Sequence, residues 1–392
     1  MTYLRPEFND LKKRLLAGPK HIQVVRGPRQ VGKTTLVLQI IESITGPHIY
    51  ISAEESPAAD ASWVDAQWSA ARLRQSQSPK QRLLLVIDEI QKVQNWSESV
   101  KKNWDADQRS KVPISAVLLG SSSLLLDKGL TESLAGRFEI TELPHWRYWE
   151  MRDAFGLTHE QYVWFGGYPG AMEFIGDEVR WKDYVRHALI EPAITRDVLM
   201  MAHITKPALL RQVFEMGCLY SGQVLSYNKL LGRMHDAGNT TTIAQYVSLL
   251  RSAGLLAGLE KYTGSVVRQR ASSPKFMAMN TALMSALSPH TIKDVRASAD
   301  WGRWIETVVG AHTLMIAPEC KLQYWRDGDH EVDYVIQKGK QLTAIEVKSG
   351  SSHKLSGLQL LAKRYPKASK LILSDNGMTW RDWLELKSLP FE

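Results

Sequence analysis

The run Gly27-Pro28-Arg29-Gln30-Val31-Gly32-Lys33-Thr34-Thr35 lies between an apolar stretch, Ile22 to Val25, and a helical pattern, Leu36 to Ile41. A glycine-bracketed loop of this spacing commits the chain locally to strand, tight turn and helix. The glycines let backbone N–H groups curl around the β-phosphate of a nucleotide. Lys33 then reaches the β/γ oxygens, and Thr34 offers its hydroxyl to Mg2+. Binding of a nucleoside triphosphate is the expectation.

A second signal follows in Arg82-Leu83-Leu84-Leu85-Val86-Ile87-Asp88-Glu89, a continuous apolar run ending in two carboxylates. Such a run reads as a parallel strand buried on both faces. At its carboxyl end Asp88 is placed to hold the Mg2+ shell and Glu89 to orient or deprotonate the attacking water. A third strand, Ala116 to Leu119, runs into Gly120-Ser121-Ser122-Ser123, where Ser121 or Ser122 is either a γ-phosphate sensor or a helix N-cap. In Leu134-Ala135-Gly136-Arg137, Arg137 is either an arginine finger reaching a neighbouring subunit or a salt-bridging arginine.

With 392 residues the chain is expected to hold several domains. Its longest apolar stretches fall far short of the roughly 18 residues that span a bilayer, and Met1 to Pro6 lacks a signal peptide's apolar region. No membrane association and a cytoplasmic location are expected. Only Cys218 and Cys320 are present, which supports neither a disulfide framework nor a cysteine-rich zinc site and predicts two buried thiols. A net charge of +8 favours polyanionic partners.

The quoted motifs, with Asp88-Glu89-Ile90-Gln91-Lys92, resemble the AAA+ family. More closely the chain resembles prokaryotic ATP-binding proteins that join an AAA+ module to a C-terminal domain of unknown function; Gly166-Gly167-Tyr168-Pro169-Gly170 carries that likeness into the lid region. The resemblance implies ATP with Mg2+ as cofactors and a homo-oligomer, as large as a hexameric ring. Trp146, Trp149 and Trp164 flank the lid and are expected to pack there.

Beyond the lid, Leu209, Val213 and Met216 share a helical face, and Tyr227, Leu230 and Leu231 the next. After a turn at Asp236-Ala237-Gly238 comes a helix with Ile243, Val247 and Leu250 on one face and Thr242, Gln245, Ser248 and Arg251 on the other. Strands Leu255–Tyr262 and Ser265–Arg270 follow. Helix, turn, helix, hairpin is the winged-helix order, whose polar face would enter a DNA groove while Arg268 and Arg270 meet phosphates; the same fold also docks proteins. Lys261 and Lys275 add positive charge nearby, as Lys338, Lys340 and Lys348 do further on.

The last third carries Asp333 in Glu331-Val332-Asp333-Tyr334-Val335-Ile336 and Glu346 in Ala344-Ile345-Glu346-Val347-Lys348, on β-branched runs joined by a hairpin turn at Gln337–Gln341. Neighbouring strands bring Asp333, Glu346 and Lys348 together, an arrangement able to bind Mg2+. It resembles the PD-(D/E)XK nuclease family, which implies a third carboxylate from a preceding helix at Glu306, and Arg326 as a phosphate contact. Asn280 departs from the aspartate that relatives carry there.

The expected fold is α/β: an AAA+ P-loop NTPase core (1–155) with a helical lid (156–200), a winged-helix domain (201–272) and a PD-(D/E)XK nuclease-like α/β domain (273–392). The expected function is an Mg2+-dependent ATPase acting on duplex or branched DNA. An ATP-gated switch docking a protein partner and an ATP-licensed nuclease are the alternatives.

Overall fold

The computed structural model describes residues 3–55, 60–120, 130, 133–199, 204–234, 239–264, 272–348 and 356–391. They form two compact units, Met1–Pro144 and His145–Glu392. The division falls ahead of the expected boundary at 155. Helix Tyr148–Phe155 packs within the second unit, where Arg152 pairs with Glu385 at 2.5 Å.

The first unit holds strands β1 (Ile22–Arg26), β2 (His48–Ser52), β3 (Leu83–Asp88), β4 (Ile114–Gly120) and β5 (Phe138–Glu142), all parallel, in the order β2-β3-β4-β1-β5. Helices α1 (Glu7–Leu16), α2 (Lys33–Ser43), α3 (Ala61–Gln77) and α4 (Trp96–Ser110) cover it. Side chains alternate along a strand, and β3 uses both faces. Leu83, Leu85 and Ile87 pack with Trp68 of α3 and Trp104 of α4, whereas Leu84 and Val86 pack with Leu11 of α1 and Ile40 of α2. This two-sided burial is why β3 reads as an unbroken apolar run.

Insertion of β4 between β1 and β3 fixes the site. Arg26, the last residue before the phosphate loop, is in register with Gly120, and Ile87 with Leu118. The carboxyl ends of β1, β3 and β4 therefore meet at one sheet edge, where parallel α/β sheets bind ligands.

The second unit begins with α5 (Tyr148–Phe155), α6 (His159–Phe165) and α7 (Glu178–Tyr184), then wider π-helical turns over Val185–Ile190 and Ala193–Val198. Trp146, Trp149 and Trp164 are buried here. Next come α8 (Pro207–Leu219), α9 (Tyr227–Leu231) and α10 (Thr240–Ser252), followed by β6 (Leu256–Leu259) and β7 (Lys275–Ala278). Asn239 caps α10 by accepting from Thr242 N at 2.8 Å, and Ile243, Val247 and Leu250 are buried. The antiparallel partner of β6 is β7, so a strand from beyond the expected boundary at 272 pairs with one from before it. The expected turn at 236–238 and the strand at 265–270 lie outside the described residues.

The chain continues through α11 (Thr281–Leu287), α12 (Ile292–Arg296) and α13 (Trp301–Ile316) into β8 (Lys321–Asp327), β9 (His330–Lys338) and β10 (Gln341–Val347), then α14 (Ser356–Arg364), β11 (Ser369–Leu373) and α15 (Trp380–Glu385). The sheet order is β11-β10-β9-β8, antiparallel except for the parallel pair β10–β11. Gly339 and Lys340 form the hairpin tip, with Lys338 and Gln341 paired beneath them. Cys218 and Cys320 are buried free thiols. Among the described residues no helix is long and apolar enough to cross a membrane.

Candidate functional site

The phosphate loop is built by close approach and by positive backbone angles. A Cβ on Gly27 would lie 2.0 Å from the Leu143 carbonyl oxygen, so this position admits only glycine. Gln30 takes φ 63°, and Gly32, at φ 89°, precedes the first turn of α2 without a side-chain cap. A helix N-terminus opening directly from such a loop favours an anion. Lys33 is buried and donates to the carbonyls of Gly27 (3.0 Å) and Pro28 (2.8 Å). Arg29 and Val31 complete the turn, and Thr34 and Thr35 are exposed at its end.

Opposite the loop, Asp88 receives three donors. Oδ1 accepts from Glu89 N at 2.8 Å, and Oδ2 accepts from Thr34 Oγ1 at 2.8 Å and Tyr50 OH at 2.6 Å. The hydroxyl and carboxylate expected to share the Mg2+ shell thus face each other directly, and this donor set fits a hard cation. Burial and then the bond to Asp88 push the Tyr50 phenol well above its ordinary range, so it stays a donor. Glu89 stands at φ 52° just beyond the strand and accepts from Gln91 Nε2.

Two contributors carry no motif. Tyr50 comes from β2, in register with Val86 of β3. Arg5 is buried ahead of α1 and donates to Val31 O at 3.0 Å and Pro144 O at 3.2 Å, pinning the loop from beneath. An apolar strand next to the carboxylate strand is the only sequence signal for Tyr50, and none exists for Arg5.

Arg137 is engaged within its own chain. Its guanidinium grips Asp105 with Nε at 2.8 Å and a terminal nitrogen at 3.1 Å, and also donates to Ala135 O. The salt-bridge alternative describes this geometry, and a finger role would first have to break that fork. Ser121 and Ser122, the sensor alternatives, lie outside the described residues.

The second constellation centres on a residue read as surface charge. Lys275 is 1% exposed, and its Nζ lies 2.6 Å from Glu306 Oε1, 3.0 Å from Glu331 Oε1 and 3.7 Å from Asp333 Oδ1. Burial pulls its pKa down, but Glu306, Asp333 and Glu331 outweigh that and leave it well above a free lysine's. Lys275 therefore does not add the open positive charge expected beside the wing: a buried ammonium among carboxyl groups cannot reach a polyanion. Asp333 Oδ2 accepts from Val347 N at 2.8 Å, and Lys348 pairs with Glu346 at 2.6 Å, so the expected strand neighbours do meet. Burial raises Glu306 to about 8 against the pull of Lys275. Burial, and then the Asp333 charge, raises Glu346 to about 7. Glu346 Oε2 is buried without a hydrogen bond among the described residues.

On α10, Gln245, Ser248 and Arg251 are exposed and Thr242 is partly so, which leaves the expected polar face open. Arg326 donates to Gly328 O at 3.1 Å and lies 4.0 Å from Glu331 Oε2. Arg268 and Arg270 lie outside the described residues. Asn280 is buried and caps α11 through Ala282 N at 3.1 Å, while also accepting from Gly167 N at 3.2 Å. The Gly166-Gly167 motif is thus seated on a helix cap.

The loop, the sheet order and the strand-end carboxylates define the front unit as an α/β P-loop NTPase fold of the AAA type. Residues 19–152 match the family described as AAA domain, and residues 157–294 and 301–385 match two families described as domains of unknown function (DUF8612 and DUF4143). An uncharacterized protein of Mycobacterium tuberculosis is 27% identical over 373 residues, covering 90% of this chain and 78% of its own. One from Haemophilus influenzae is 20% identical, covering 83% and 82%. Among solved structures, the Walker-type ATPase of Pyrococcus abyssi aligns with a TM-score of 0.48 at 14% identity, over 73% of this chain and 96% of that one. The Thermotoga maritima RuvB Holliday junction branch migration motor aligns with a TM-score of 0.32 at 18% identity, over 64% and 89%.

Proposed function

We propose that this chain is an Mg2+-dependent ATPase that works on duplex or branched DNA as a homo-oligomer. The observation that carries the ATPase reading is the direct hydrogen bond between Thr34 and Asp88 at the mouth of the phosphate loop. Thr34 and Asp88 would hold Mg2+, which when bound neutralises phosphate charge. Lys33 and the N–H groups of the first turn of α2 bind and orient the phosphates, and Glu89 positions the attacking water. Ser121 or Ser122 is the proposed γ-phosphate sensor.

The DNA reading draws on the helix-helix-helix-hairpin order of α8, α9, α10, β6 and β7, which supports a winged-helix domain, with Gln245 and Arg251 on the face presented to a groove. The order of α13, three antiparallel strands, α14 and the parallel β11 supports a nuclease-like domain that holds DNA. ATP turnover measured with no DNA, single strands, duplex and a four-way junction tests this; equal rates in all four would end it.

One observation favours a second reading. Arg137 is paired with Asp105 inside its own chain, as suits an ATP-gated switch that docks a protein partner without an intersubunit finger. That reading expects slow turnover and indifference to DNA.

A further inference from the structure

A divalent ion shared by Glu306 and Asp333 would need oxygen ligands at about 2.1 Å. The space between those carboxylates is already filled: Lys275 Nζ stands 2.6 Å from Glu306 Oε1 and 3.7 Å from Asp333 Oδ1, with Glu331 on its flank at 3.0 Å. Asp333 Oδ2 is held by Val347 N at 2.8 Å, which fixes the carboxylate with its other oxygen toward Lys275. Lys348 pairs with Glu346 Oε1, and Glu346 Oε2, buried without a hydrogen bond among the described residues, is one oxygen and not a ligand set. The residues present therefore do not fit a metal bridging Glu306, Asp333 and Glu346.

We infer that Lys275 is the resident cation of this carboxylate cluster, held in place of a divalent metal, so that the C-terminal sheet has the layout of a cutting site without its ion. The ammonium arrives on β7, two strands before the β9 that carries Glu331 and Asp333, and is fixed from several directions. Its Nζ donates to the Asp333 carbonyl at 3.3 Å and lies 5.5 Å from the centre of the Tyr334 ring. Tyr334 OH in turn donates to Glu306 O at 2.7 Å, tying α13 to β9 across the cluster. An ammonium beside the Glu331 and Asp333 carboxylates, the Glu306 carboxyl group and an aromatic face is well satisfied, and a metal ion brought beside it would meet a like charge at short range. The hairpin thus contributes a structural ion pair, and the sheet is left to bind or assemble and not to cleave. This inference is independent of what ATP turnover drives, since the cluster lies wholly within the second unit.

The test is Mn2+ binding by the nucleotide-free full-length chain, followed by electron paramagnetic resonance, in wild type, Asp333→Asn, Lys275→Met and the double variant. Any ion held at Thr34 and Asp88 is common to all four. The expected result is equal Mn2+ stoichiometry in wild type and Asp333→Asn, and one extra equivalent in Lys275→Met that the double variant loses. Wild type binding an equivalent that Asp333→Asn abolishes overturns the inference, and so does a folded Lys275→Met chain that gains none. If Lys275→Met fails to fold, the comparison of wild type with Asp333→Asn still decides. Mg2+-dependent nicking of supercoiled plasmid by wild type, abolished in Asp333→Asn, would also overturn it.

Discussion

Thr34 Oγ1 donates to Asp88 Oδ2 at 2.8 Å, joining the first turn of α2 to the carboxyl end of β3. The two residues are 54 positions apart. Their meeting depends on β4 lying between β1 and β3, which brings the ends of three strands to one edge. A hydroxyl and a carboxylate that already share a proton form a prepared pair of oxygen ligands, whereas two separate groups would have to be ordered when the cation binds.

In the proposed mechanism Glu89 acts on the attacking water, and Glu89→Gln keeps the size of the side chain but removes its charge and basicity. ATP affinity should stay near wild type while turnover falls by about 100-fold or more. Equilibrium nucleotide binding and single-turnover hydrolysis separate the two effects; a parallel loss of binding would show that Glu89 holds the loop and does not act on water.

Tyr50 donates to the same oxygen as Thr34, at 2.6 Å, and so orients Asp88 from behind. Tyr50→Phe should raise the Mg2+ concentration needed for half-maximal ATPase by about 10-fold, the size of effect seen when a metal ligand loses its outer partner. The rate at saturating Mg2+ should be nearly unchanged.

Arg5→Met removes two charge-assisted hydrogen bonds, to Val31 O and Pro144 O. Each unit of this kind is worth about 1.5–3 kcal/mol, so the urea midpoint should fall. Val31 lies inside the loop, and KM for ATP should therefore rise with kcat held. An unchanged KM would leave Arg5 with a purely structural role.

The parts of this architecture legible in the sequence are those whose chemistry is local. The loop from Gly27 to Thr35 dictates its own turn, the run ending in Asp88 announces burial on both faces, and the β9–β10 hairpin follows from Gly339 between two β-branched runs. Contacts between distant segments were not legible, because no pattern within a single segment encodes a partner elsewhere. Lys275 reads as one more surface cation until β7 pairs with β6 and turns it toward Glu306. The pairing of Arg137 with Asp105 on α4 is equally invisible, since nothing near Gly136 distinguishes an arginine that reaches outward from one that folds back.

Glu306 is raised to about 8, chiefly by burial. A carboxyl whose folded pKa lies above its unfolded one stabilises the fold at low pH and loses that contribution as pH rises through the folded value. Wild type should therefore lose stability between pH 6 and 8, by at most about 1.4 kcal/mol per pH unit from this proton. Glu306→Gln should be flatter over the same interval. His312, buried and lowered to about 3, acts with the opposite sign, its contribution being lost as pH falls below its ordinary value, and it does so in both chains. Urea midpoints at pH 6 and 8 provide the comparison, and equal slopes would place the titrating proton elsewhere.

Asn280 holds three groups at once. Its Oδ1 accepts from Gly167 N at 3.2 Å and Ala282 N at 3.1 Å, so its amide Nδ2 faces His145 Nδ1 at 3.3 Å. His145 Nε2 in turn lies 2.8 Å from Gly254 O. Asn280→Asp keeps an oxygen for the cap but puts a second carboxylate oxygen where an amide donor stood, in a buried site. The variant should lose about 1–3 kcal/mol, the cost of an unsatisfied buried polar group. Urea midpoints of the two chains at one pH test this, and equal midpoints would mean that the cap and not the amide is what Asn280 contributes.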